Sequence, residues 1–93
     1  MILSFGSKQT EQIWKGYRAK NMPLNIQNIA RRKLRMLNNS QSILDLRVPP
    51  SNRLEKLSGD MAGFYSIRIN RQWRIVFRWT EGNATDVQIM DYQ

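Results

Sequence analysis

Arg68, Arg74 and Arg78 alternate with apolar residues between Phe64 and Trp79, a spacing that separates a cationic face from a core face in two successive strands. Tyr65, Ile67 and Ile69 fall on one side of the first predicted strand. Trp73, Ile75, Phe77 and Trp79 fall on one side of the second. For the two apolar sets to share a face, Ile69 must lie opposite Trp73 and Ile67 opposite Ile75, which leaves an odd-numbered loop of Asn70, Arg71 and Gln72. Arg68 then faces Arg74. Like charges directly opposed across strands cost roughly 0.2–1 kcal/mol relative to a neutral pair, and an anion between them relieves that cost. A phosphate fits best, because a guanidinium fork stays charged at physiological pH and binds phosphate oxygens bidentately. The residues leave a second reading open: a solvated basic face whose arginines pair with Glu81 or Asp86 from a neighbouring strand.

Fifteen Lys and Arg against seven Asp and Glu give a net charge of +8 over 93 residues, a balance that favours polyanionic partners: nucleic acid, ribosome or an acidic protein. Arginine outnumbers lysine by ten to five, which favours specific phosphate and base-edge contacts over diffuse attraction. There is no cysteine and no histidine, so thiolate nucleophiles, Ser-His-Asp triads and His/Cys zinc sites are excluded. Acid–base chemistry must come from carboxylate, tyrosine or lysine. The seven acids have no metal-motif spacing, so a mechanism without metal or other cofactor is the expectation. No segment approaches the ~20 apolar residues of a membrane span, and Met1 to Thr10 lacks a signal-like apolar run. A cytoplasmic protein with no membrane contact is expected.

The length suits one domain over residues 1–93. Ile2 to Phe5 reads as a short strand ended by Gly6, and Ser7 as the N-cap of a helix from about Lys8 to Ala19 with Ile13, Trp14 and Tyr17 on its core stripe. Pro23 suits the first turn of a second helix running to about Leu37, with Ile26, Ile29, Ala30, Leu34 and Leu37 on one face and Gln27, Arg31, Arg32 and Arg35 on the other. A basic run such as Arg31-Arg32-Lys33 can track a phosphate backbone, yet most such runs are solvated faces, and that reading is preferred. Ile43 to Leu46 forms a short turn and Pro49 to Asn52 a loop. Leu54 and Leu57 begin the sheet, the hairpin follows, and a last strand carries Val87, Ile89 and Asp91 on one side. The architecture is α+β: β-α-α followed by a twisted antiparallel sheet. Gly59 and Gly63 match no phosphate-binding glycine pattern and read as turn glycines.

Asn52-Arg53-Leu54-Glu55, Ser58-Gly59-Asp60, Tyr65-Ser66-Ile67-Arg68-Ile69-Asn70, Gln72-Trp73-Arg74-Ile75 and Asp91-Tyr92, with the Arg31–Leu37 stretch and the β-α-α start, closely resemble HigB-type toxins of the RelE/ParE superfamily. The resemblance spans nearly the whole chain. It implies a toxin that enters the ribosomal A site and cleaves messenger RNA during translation. It also implies restraint by a HigA-type helix-turn-helix antitoxin, with DNA reached only through that antitoxin. A ribonuclease without metal uses the RNA's own 2′-hydroxyl as nucleophile and needs cations on the phosphate, a proton acceptor and a proton donor. The resemblance assigns the scissile phosphate to Arg68 and Arg74, and the catalytic set to Arg74, Arg68, Tyr92, Asp91 and the position of Gln93. Lys56, Arg53, Arg71, Arg78, Arg31 and Arg32 are the cations implied for RNA or ribosome contact. Some relatives carry a lysine where this chain has Ser58.

Many HigB-type chains end Asp-Tyr-His, whereas this one reads Asp91-Tyr92-Gln93. Glutamine cannot transfer a proton at neutral pH, and losing a general acid–base group costs roughly 10²–10⁴ in rate. Three explanations stand: Tyr92 is the acid–base group; Gln93 is an attenuating substitution, natural or introduced; or the chain binds without cutting. Two further functions fit the same fold: a ParE-like inhibitor of DNA gyrase, and a catalytically silent ribosome- or RNA-binding module.

Overall fold

The computed structural model describes residues 1–92. Two helices, α1 (Lys8–Trp14) and α2 (Leu24–Asn39), precede four strands, β1 (Glu55–Lys56), β2 (Phe64–Arg68), β3 (Trp73–Thr80) and β4 (Asn83–Asp91). The strands form one antiparallel sheet in the order β1-β2-β3-β4. One face of the sheet packs on the helices. Ile13 of α1 and Ile26, Ala30, Leu34 and Leu37 of α2 meet Ile67, Ile75, Phe77, Val87 and Ile89 in a single core. Each of the buried Ile, Leu, Val and Phe side chains contributes roughly 1.5–3 kcal/mol. Among the described residues no helix is long and apolar enough to cross a membrane.

Helix α1 begins where expected, with the Ser7 side chain accepting from the Thr10 amide at 3.2 Å, but it stops at Trp14 instead of reaching Ala19. Gly16 is the reason. With φ +94° it takes the left-handed position of a Schellman motif: its amide donates to Ile13 O at 3.1 Å, and the Tyr17 amide donates to Gln12 O at 2.8 Å. Tyr17, past the stop, is 65% exposed and is not a core residue, while Ile13 is buried and Trp14 packs beside Phe5 with ring centroids 6.3 Å apart.

On α2 the expected apolar face is buried at Ile26, Ala30, Leu34 and Leu37, but Gln27, placed on the opposite face by the sequence pattern, is buried too. Its amide accepts from Ala19 N and donates to Ala19 O and Met22 O, at 2.9–3.2 Å. It thereby stitches the interhelical connection to α2. Arg31 is likewise not a solvated cation: its Nε donates to Ile13 O at 2.9 Å, capping the end of α1.

Ile2 to Phe5 makes two isolated parallel bridges to β4, Ile2 with Ala84 and Phe5 with Val87, in place of a full strand. Between those contacts β4 carries a bulge. Register shifts between Val76 and Arg78, and Asp86 takes φ +51° as the extra residue. The two bridges flank that irregularity.

Candidate active site

The hairpin has the register that parity requires: Ile67 pairs with Ile75 and Arg68 with Arg74, and the Ile69 amide donates to Trp73 O at 2.9 Å. Asn70 builds the three-residue loop, its Oδ1 accepting from the amides of Gln72 and Trp73 at 2.8 Å each. The opposed arginines lean apart. Arg68 Nε donates to Asn70 O at 3.0 Å, toward the turn, whereas Arg74 leans the other way, toward Ser66 and Arg53. These backbone and hydroxyl oxygens offset part of the like-charge cost of the pair.

Arg74 is the best-held cation of this face. Its Nε donates to Ser66 Oγ at 2.8 Å and its Nη2 to Arg53 O at 2.7 Å. Its Nη1 lies 3.9 Å from Glu55 Oε1, and its side chain is only 11% exposed. Cζ lies 5.8 Å from the centroid of the Tyr92 ring, within cation–π range. Register explains the gathering. Glu55 pairs with Ser66, and Met90 with Arg74, so Glu55, Ser66 and Tyr92 alternate onto Arg74's face. Tyr92 is held there by its amide, which donates to Gln72 O at 2.7 Å.

The same alternation separates other expected members. Asp91 pairs with Trp73, on the opposite face from Arg74, and its Oδ2 accepts from Gln72 Nε2 at 3.0 Å. Lys56 pairs with Tyr65 and is also turned from Arg74's face. Arg78 shares the face but is engaged two pleats away: its Nε lies 3.5 Å from Asp86 Oδ2 and its Cζ 4.3 Å from the Phe64 ring centroid. For this one arginine the solvated, Asp86-paired alternative holds. Arg53 and Arg71 are exposed. Arg53 sits in the left-handed region at φ 44°, which turns its carbonyl onto Arg74.

Arg31 and Arg32 lie in the helical layer, on the far side of the sheet from Arg74. Arg32 and Lys33 border a groove with Pro49 and Ile69. Lys33 donates to Asn52 Oδ1, and burial, with Arg32 beside it, holds its ammonium below the usual lysine range. Gln93 lies outside the described residues.

Two neighbours of Arg74 escaped the sequence reading. Ser66 carries a visible signal, standing in alternation between Phe64 and Arg68 on the cationic face. Glu55 carries almost none, because only the two-residue pairing of β1 places it on Arg74's face.

A family model described as "RelE-like toxin of type II toxin-antitoxin system HigB" matches residues 3–93. Toxin HigB-1 of Vibrio cholerae is 40% identical over 90 residues, covering 96% of this chain and 95% of that protein. Among solved structures, YafQ from E. coli superposes with a TM-score of 0.65 at 16% identity, covering 98% of this chain and 91% of that chain. The YoeB-YefM complex from Staphylococcus aureus gives 0.63 at 18% identity, over 100% of this chain and 98% of its counterpart. These likenesses agree with the α+β, RelE/ParE-like fold expected from the sequence.

Proposed function

This chain belongs to the RelE-like HigB toxins of type II toxin-antitoxin systems, and from that membership and the Arg74 site we propose that it is a ribosome-dependent endoribonuclease acting on messenger RNA in the A site. The observation that carries the reading is the arrangement around Arg74: a guanidinium fixed from one side by Ser66 Oγ and Arg53 O, with a carboxylate and a phenol beside it.

Arg74, with Arg68 next to it in register, holds the scissile phosphate and offsets the charge that develops on its oxygens. The 2′-hydroxyl attacks phosphorus, forming the 2′-O–P bond as the P–O5′ bond breaks. Glu55, the carboxylate nearest Arg74 in the described site, accepts the 2′ proton. Tyr92 gives its proton to the leaving 5′ oxygen. The products are a 2′,3′-cyclic phosphate and a 5′-hydroxyl end. Asp91, through Gln72, steadies the end of β4 so that Tyr92 stays over Arg74. Exposed Arg53 and Arg71 extend the cationic face along the RNA, and Arg32 supplies a ribosome contact from the helical layer.

The partner in the cell is an antitoxin, in this reading of the HigA type; the S. aureus relative occurs in a YoeB-YefM toxin–antitoxin complex. Mapping new 5′ ends in a cell-free translation reaction tests the function. Cuts inside translated codons, absent with Arg74→Ala, are expected. A chain that arrests translation without cutting, or that blocks gyrase supercoiling, would overturn it.

A further inference from the structure

Ser66 is fully buried, so it cannot touch RNA, yet its hydroxyl lies 2.8 Å from Arg74 Nε. The second acceptor on Arg74, Arg53 O, belongs to a loop that is itself pinned. Asn52, also fully buried, donates from Nδ2 to Leu46 O at 3.1 Å and Val48 O at 3.3 Å, and its Oδ1 receives Lys33. The Arg53 amide closes onto Pro50 O at 3.0 Å. A guanidinium has five N–H donors in a rigid plane. Two of them directed at oxygens fixed on different elements define both the position and the tilt of that plane, leaving Nη1 toward Glu55 and the solvent side.

We propose that Ser66 is a positioning residue for Arg74, acting together with the Asn52-anchored Arg53 carbonyl to set the guanidinium plane before substrate arrives. Kinetically this rests on the ribonuclease reading; structurally it does not. A group oriented in advance contributes to the bound transition state more than to ground-state binding. Loss of the Ser66 hydroxyl therefore lowers kcat and leaves KM for programmed ribosomes nearly unchanged. Misplacement of an aligned group costs on the order of ten- to a hundredfold in rate.

The test compares wild type, Ser66→Ala and Ser66→Thr, with folding checked by circular dichroism. Solvent exchange of the Arg74 Nε–H is measured by NMR, and cleavage on programmed ribosomes gives kcat and KM. Slow Nε–H exchange in wild type, about tenfold faster in Ser66→Ala and slowed again in Ser66→Thr, supports the anchoring whether or not the chain cuts RNA. A fall in kcat with KM constant, restored by threonine, supports the positioning role. An Nε–H equally exchangeable in wild type and Ser66→Ala overturns the proposal, as does a folded Ser66→Ala that cuts at the wild-type kcat. If wild type makes no cuts, the ribonuclease reading fails, and the exchange data decide the anchoring by themselves.

Discussion

At the residue scale, charge is organised by which oxygens each guanidinium reaches. Arg74 has three oxygens and a ring around it, Arg78 has Asp86 and Phe64, and Arg31 has the end of α1. Removing each should therefore break something different. Arg74→Ala deletes the phosphate cation and takes from the buried Ser66 hydroxyl its guanidinium donor; cleavage should fall on the order of 10²–10³-fold, with stability lower by about 1–3 kcal/mol. Arg74→Lys should recover only a small part of that rate, because an ammonium cannot satisfy Ser66, Arg53 O and a phosphate as one plane. Single-turnover cleavage on programmed ribosomes measures both. Glu55→Gln is the sharper test of roles. If Glu55 accepts the 2′ proton, the rate should drop about 10²–10⁴-fold while RNA retention on the ribosome is preserved. A wild-type rate in Glu55→Gln would remove Glu55 from the mechanism and leave Tyr92 as the only acid–base group of the described site.

At the scale of elements, the places where the chain departs from its periodicity are those that shape the molecule. Gly16 ends α1 at φ +94°, and a β-carbon added there meets nothing within 4 Å. Gly16→Ala should thus cost backbone strain alone, about 1–2 kcal/mol, read as a melting temperature lower by roughly 4–8 °C per kcal/mol. Cleavage should be unchanged, since α1 packs on the face away from Arg74. Asp45 gives the segment Ile43–Arg47 a pH-dependent clasp. Amides of Ser42 and Gln41 donate to its carboxylate and hold its pKa below the usual aspartate value of 3.8. A depressed folded pKa stabilises the fold above the unfolded value, and that contribution is lost as pH falls through the folded value. Asp45→Asn should therefore melt lower than wild type at neutral pH, and the two should converge as pH drops below about 4. Equal melting temperatures at pH 7 would remove the clasp.

These elements also show why sequence reading reached some features and missed others. The hairpin register was legible because two apolar sets with one odd loop admit a single alignment. The stop of α1 was legible in principle, since Gly16 stands at its C′ position, but the stripe of Ile13, Trp14 and Tyr17 runs straight through it. Gln27 looked polar and outward because its three partners, all backbone atoms of Ala19 and Met22, leave no trace in periodicity. Glu55 became a neighbour of Arg74 only through a pairing of two residues, too short to signal itself.

At the scale of the whole molecule, the charge of +8 is divided between two layers that the sheet keeps apart. Arg53, Arg68, Arg71 and Arg74 belong to the open sheet face and its loops, while Arg18, Lys20, Arg32 and Arg35 belong to the helices and their connection. All four of the latter are exposed. If the sheet face handles the scissile phosphate and the helical layer contacts ribosomal RNA, binding and cutting should separate under mutation. Each phosphate contact adds about 0.7–0.9 to the slope of log affinity against log salt. The double variant Arg32→Glu with Arg35→Glu should weaken ribosome binding and flatten that slope by one to two contacts' worth, yet leave the single-turnover rate at saturating ribosomes near wild type. Arg74→Ala should do the reverse, binding with nearly the full slope and scarcely cutting. Filter binding across a salt series, paired with single-turnover cleavage, resolves the two. If the helical-layer variant binds as wild type does with an unaltered slope, the helical cations are a solvated face that serves solubility, and ribosome recognition belongs to the sheet face alone.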